Sequence, residues 1–143
     1  MLTGIPPIIS PELLKIIAEM GHGDELVIAD GNFPAVTNAR RLVRCDGHPI
    51  PPLLDAILSL FPLDQYSEKP VGLMAVVPGD DTKPTIWDEY KSIISKYDSR
   101  AGDFEFIERF AFYDRAAQSF AVVATGEGAL YANIILKKGV IQS

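Results

Sequence analysis

Seven residues in a row, Val71-Gly72-Leu73-Met74-Ala75-Val76-Val77, carry no polar side chain and stand between Pro70 and Pro78. A run this short between prolines reads as a strand, and its lack of polar alternation asks for cover on both faces. A two-sided strand needs layers above and below it, so the rest of the chain must supply helices. It does. Ile50, Leu53, Leu54, Ile57, Leu58 and Phe61 form an unbroken helical stripe over 50–61, with Pro51 tolerated in its first turn. Ser10 is placed as an N-cap, Pro11 at the first helical position, and Leu13, Ile16, Ile17 and Met20 on one face before Gly21 ends the helix. Ile86, Tyr90, Ile93, Ile94 and Tyr97 mark a third helix; Tyr113, Ala116, Ala117 and Phe120 mark a short fourth.

Short apolar strands are expected at 25–29, 41–45, 104–107, 120–125 and 133–136. Gly79-Asp80-Asp81 and Gly126-Glu127-Gly128 read as turns rather than as a calcium loop or a phosphate-binding fingerprint. Helices alternating with strands imply an α/β fold. The expectation is a single domain over 1–143, three-layered α/β/α, with a mostly parallel or mixed central sheet. In such sheets ligands lie outside the carboxyl ends of the strands.

Charge narrows the partners. A net charge of −6 disfavours nucleic acid, and the one basic cluster, Arg40, Arg41 and Arg44, is followed by Asp46 and reads as a solvated strand edge. The single cysteine, Cys45, leaves no internal disulfide and no cysteine-based zinc site. There is no cationic leader with an apolar core and no stretch long enough to span a membrane, so a soluble, cytoplasmic protein is expected.

Five positions invite a chemical explanation. His22 lies between two glycines just before the apolar run that ends in Asp30. An imidazole exchanges protons near neutral pH, so His22 reads either as a general acid/base or as a helix-end residue on the last carbonyls of 11–20. The strand between His22 and Asp30 is expected to place both on the rim of one pocket. Asp30 can bind sugar hydroxyls or serve an Asx turn. Arg109 lies just beyond a strand end, with a salt bridge to Glu105 or Asp114 as the plainer reading. Tyr131 and Asn133, if in a strand, share a face and line one wall. No metal-ligand spacing accompanies His22 or His48, so no metal is expected.

These segments also resemble a known family. Ser-Pro-Glu-Leu-Leu-Lys at 10–15, Met-Gly-His-Gly-Asp-Glu at 20–25 and Ala-Asp-Gly-Asn-Phe-Pro at 29–34 resemble the ribose pyranase/fucose mutarotase family. Arg44-Cys45-Asp46-Gly47, Arg-Phe-Ala-Phe-Tyr-Asp-Arg-Ala at 109–116, Thr-Gly-Glu at 125–127 and Leu-Tyr-Ala-Asn-Ile at 130–134 continue the match, which looks like the fucose branch. The resemblance implies a cofactor-free mutarotase acting on a free monosaccharide such as L-fucose. It implies His22 as proton donor and Asp30, Arg109, Tyr131, Ala132 and Asn133 as substrate-binding residues. It also implies a homo-oligomer, with decamers of stacked pentameric rings among bacterial members. Ala132 stands where glycine is expected, and its methyl would narrow the pocket if it faced the sugar. The partner base is open between Tyr131 and a water, with Tyr113 a weaker candidate. D-ribose pyranase activity and non-catalytic sugar binding are the alternatives.

Overall fold

The computed structural model describes residues 1–143. Six strands form one sheet: β1 (Glu25–Ala29), β2 (Leu42–Cys45), β3 (Val71–Met74), β4 (Glu105–Ile107), β5 (Ala121–Thr125) and β6 (Ile134–Lys137), in the spatial order β2-β5-β1-β6-β3-β4. β2, β5 and β1 run parallel, as do β3 and β4, and β6 runs antiparallel to both β1 and β3. Five strands therefore point one way and β6 points the other, making the sheet mixed.

Alternate residues of each strand divide between two cores. Leu26 and Ile28 of β1, Ala121 and Val123 of β5, and Ile134 and Leu136 of β6 face the larger core. There they meet α1 (Pro11–Glu19), α3 (Ile50–Leu58) and α4 (Ile86–Ile94) through Leu13, Leu53, Ile57, Tyr90 and Ile94. Val27, Ala29, Val122, Ala124 and Ile135 face a smaller core closed by α2 (Ala35–Asn38) and α5 (Arg109–Gln118). Phe112 is the largest fully buried side chain of that second layer. This is the expected three-layer α/β/α arrangement.

Several boundaries differ from expectation for local reasons. The strand expected over 71–77 ends at Met74, because its neighbours end there: β4 stops at Ile107 opposite Met74 and β6 begins at Ile134 opposite Leu73; Ala75 still donates to Ile107 O at 2.7 Å. The helical stripe expected over 50–61 stops at Leu58 rather than Phe61, where Leu60 N turns back onto Ile57 O. α5 starts four residues before Tyr113, since Glu108 caps it by accepting from Ala111 N at 3.0 Å. The single turn of α2 lies where only a loop is expected, because Phe33 and Ala35 pull it onto the smaller core.

Gly126 is required by packing rather than by a turn: a β-carbon there would lie 2.2 Å from the backbone oxygen of Asp46. At Gly72 a β-carbon would meet only Ile107 Cδ1, at 2.8 Å, which that side chain relieves by rotating.

Candidate functional site

The carboxyl ends of β1, β3 and β4 share one edge of the sheet, and antiparallel β6 begins at that same edge. A cleft of about 350 Å³ opens there, small for a ligand site. Asp30 follows β1, Met74 ends β3 with Val77 and Asp80 beyond it, Arg109 follows β4, and Tyr131 and Asn133 precede β6. Each enters the cleft because its strand ends there.

Asp30 and Asn133 are tied together. Asp30 N donates to Asn133 Oδ1 at 2.8 Å, so the amide oxygen is spent on the backbone and the –NH₂ group remains as a donor. Asn32 N donates to Asp30 Oδ1 at 2.9 Å, so the Asx turn and the cleft position hold together in one residue. Burial pushes the Asp30 carboxyl above its ordinary range, against the lowering effect of the Asn32 and Phe33 N–H groups.

Tyr131 is the one non-glycine residue with positive φ, at 58°. Residues 130–133 are therefore a turn leading into β6, not part of a strand, and the shared face of Tyr131 and Asn133 does not come from strand alternation. Left-handed backbone in a tyrosine is held against strain. Trp87 Nε1 donates to Tyr131 O at 2.8 Å, and the buried Tyr90 hydroxyl donates to Ala132 O at 2.6 Å, both from α4. So held, the Tyr131 ring reaches back over the cleft, where its hydroxyl donates to Asp80 Oδ2 at 2.5 Å and accepts from Val77 N at 3.3 Å. The bond to Asp80 raises the Tyr131 phenol above its ordinary value, with desolvation second.

Arg109, at the start of α5, is exposed and donates from Nε to Tyr113 Oη at 3.2 Å. The salt bridges expected of it are not formed; Arg115 takes Glu105 at 2.8 Å and Glu25 at 2.7 Å instead. Phe33 lines the cleft, whereas Phe112 lies beneath it, edge-on at 5.9 Å. Ala132 is fully buried with its methyl in the larger core, so it does not narrow the cleft; only its backbone bears on the site.

His22 is elsewhere. It precedes β1, whereas Asp30 follows it, and five strand residues separate the two by about 17 Å at roughly 3.3 Å each. The expected shared rim is therefore not formed within one chain: imidazole and carboxylate sit at opposite ends of the same strand. Nor does His22 cap α1. Its Nε2 pairs with Asp64 Oδ1 at 3.0 Å, and its ring lies 5.3 Å from Tyr66. Asp64 is buried, which pushes its carboxyl up, but bonds from the Ser67 hydroxyl, Tyr66 N and His22 outweigh this and hold it below the ordinary range. The imidazole itself is exposed. An exposed imidazole on a buried, fixed carboxylate is held in one orientation at the protein surface.

Asp64 and Asp80 are absent from the sequence-based candidates. Asp80 carried a usable signal, as a carboxylate just beyond the carboxyl end of an apolar strand. Asp64 carried none, since its pairing with His22 spans 42 positions.

The profile of the RbsD / FucU transport protein family matches residues 3–141. The chain belongs to this family. Among its RbsD/FucU relatives, the L-fucose mutarotase of Actinobacillus pleuropneumoniae serotype 5b is 52% identical over 140 residues, covering 98% of this chain and 97% of that protein. The fucose mutarotase of Danio rerio is 52% identical over 147 residues, covering 99% and 95%. The crystal structure of the Streptococcus pneumoniae fucose mutarotase in complex with L-fucose superposes with a TM-score of 0.92 at 50% identity, covering 99% of this chain and all of that one. FucU from Bifidobacterium longum reaches a TM-score of 0.96 at 53% identity, covering 98% and 100%. RbsD of Bacillus subtilis shares the fold, at a TM-score of 0.68 and 24% identity over 93% of this chain and 95% of that one.

Proposed function

We propose that this protein is an L-fucose mutarotase, interconverting the α and β anomers of the free sugar by opening and reclosing its ring. The carrying observation is near full-length likeness, at 50% identity, to a fucose mutarotase solved with L-fucose, together with a small cleft of hydrogen-bonding groups at the sheet edge. Asp30 accepts from sugar hydroxyls, the Asn133 amide and the Arg109 guanidinium donate to them, and Phe33 gives an apolar wall for the methyl at C6. Ala132 contributes through its backbone placement.

Ring opening needs a proton on the ring oxygen as one leaves the anomeric hydroxyl. His22 is the donor in this reading, with Asp64 fixing its orientation. Since His22 lies at the far end of β1 from its own cleft, the donor comes from a second copy whose His22 end covers the cleft mouth. The working unit is then a homo-oligomer, of which a decamer of stacked pentameric rings is one form.

Saturation-transfer NMR over a panel of fucose, ribose and galactose tests the activity. Wild type is expected to speed α/β exchange of fucose most, and His22→Ala to lose nearly all of it. Sugar binding without faster exchange would leave a binding protein rather than an enzyme.

A further inference from the structure

The mutarotase reading leaves the acceptor of the anomeric proton unassigned, and the cleft offers one arrangement built for it. The Tyr131 hydroxyl is held on two sides: it accepts from Val77 N at 3.3 Å and donates to Asp80 Oδ2 at 2.5 Å. A phenolic oxygen has two lone pairs, so one remains to receive a hydroxyl proton from within the cleft. Asp80 is itself immobilised. Its Oδ1 accepts from Thr82 N at 2.9 Å and from Thr82 Oγ1 at 2.5 Å, which directs Oδ2 at the phenol. The strained backbone of Tyr131, pinned by Trp87 and Tyr90, is what brings the ring to this carboxylate.

We propose that Asp80 is the terminal proton acceptor of ring opening, reached through the Tyr131 hydroxyl. The proton of the anomeric O1 passes to Tyr131 Oη as the phenolic proton passes to Asp80 Oδ2. The C1–O5 bond breaks, its electron pair takes a proton from the His22 imidazolium at O5, and the O1 electrons form the C1 carbonyl. The open-chain aldehyde thus faces a neutral imidazole and a protonated Asp80. After rotation about C1–C2, closure runs the same transfers in reverse and restores both groups, so no proton is gained or lost. The surroundings agree with these roles. The bonds from Thr82 and Tyr131 hold the Asp80 carboxyl below its ordinary range, ionised and ready to accept. Tyr131 keeps its phenolic proton, so it can take a second only by passing the first on. Arg109 on α5 is the facing cation, and Tyr113 the neighbouring phenol.

Asp80 acts through Tyr131, so it is a positioning and relay residue, and its removal should affect turnover rather than binding. In Asp80→Asn the amide oxygen still accepts the Tyr131 bond but cannot take the proton. A loss of kcat of about 10²-fold for fucose exchange is expected, with KM changed by less than about twofold. Asp80→Glu is expected to recover part of the rate. Tyr131→Phe should lose a similar factor, and the double variant no more than either single, because the two act in one chain of transfers. A kcat within about twofold of wild type in Asp80→Asn, a loss confined to KM, or additive losses in the double variant would each overturn the relay. The relay rests on the mutarotase reading, and the two fail differently. Absence of fucose exchange in wild type defeats the function, whereas normal exchange in Asp80→Asn defeats only the relay. A ¹³Cζ-tyrosine NMR titration needs no turnover: Asp80→Asn is expected to lower the Tyr131 titration toward an ordinary phenol, and an unmoved titration overturns the pair.

Discussion

Replacing Tyr90 by phenylalanine removes one oxygen atom and tests how the cleft is held open. Tyr90 is fully buried, and its hydroxyl donates to the carbonyl of Ala132, itself fully buried, at 2.6 Å. The ring still fills its place in the larger core, so no sizeable cavity forms. What is lost is a buried hydrogen bond, and what remains is a carbonyl with no water to turn to. That costs about 1–3 kcal/mol. For a chain of this size 1 kcal/mol moves the unfolding midpoint by about 2–4 °C, so a fall of roughly 4–8 °C is expected for a mid-range loss. Calorimetry or circular dichroism at one fixed protein concentration measures it, because association also shifts the midpoint. The same change frees the backbone between Tyr131 and Asn133, so the KM for fucose should rise while the far-ultraviolet spectrum stays unchanged. A midpoint within about 1 °C of wild type, with unaltered KM, would refute the claim that α4 holds this turn in place.

Two further outcomes follow from the site. Burial raises the folded-state pKa of Asp30, so between the ordinary carboxylate range and that raised value the folded state holds more protons than the unfolded one, and stability falls as pH rises through this window. Asp30→Asn is therefore expected to raise the unfolding midpoint at pH 7, to lose that advantage near pH 3, and to lose fucose binding; a lower midpoint at pH 7 would contradict the burial cost. Arg109→Ala removes an exposed donor that holds no carboxylate, so stability should change by less than about 0.5 kcal/mol while the KM for fucose rises about tenfold; an unaltered KM would remove Arg109 from the sugar.

The layered fold is legible in the chain because periodicity reports burial directly: all-apolar strands need cover on both faces, and three helical stripes supply most of it. The mixed direction of the sheet is harder to read, since nothing in residues 134–137 distinguishes an antiparallel insertion from a parallel strand. At the site, Asp30 and Arg109 are legible because strand ends mark the ligand edge of such sheets. Tyr131 is legible as a residue but not as a conformation. Its left-handed backbone is imposed by Trp87 and Tyr90, more than forty positions away, and no local preference announces it. His22 shows the limit most clearly. Closeness in sequence to Asp30 suggests a shared pocket, yet an extended strand is the element that moves two nearby residues farthest apart.

That separation is why the proposed mechanism takes its donor from a second subunit, and mixing two inactive variants tests it most directly. His22→Ala keeps an intact cleft, and Asp30→Ala keeps an intact donor. If each site takes its cleft from one subunit and its imidazole from the next, about one quarter of the sites in a randomly reassembled mixture are complete. Fucose exchange near that fraction of wild type is expected after the two are unfolded and refolded together, with neither variant active alone. Exchange that stays at the level of the separate variants, in a mixture shown to have co-assembled, would contradict a donor supplied between subunits.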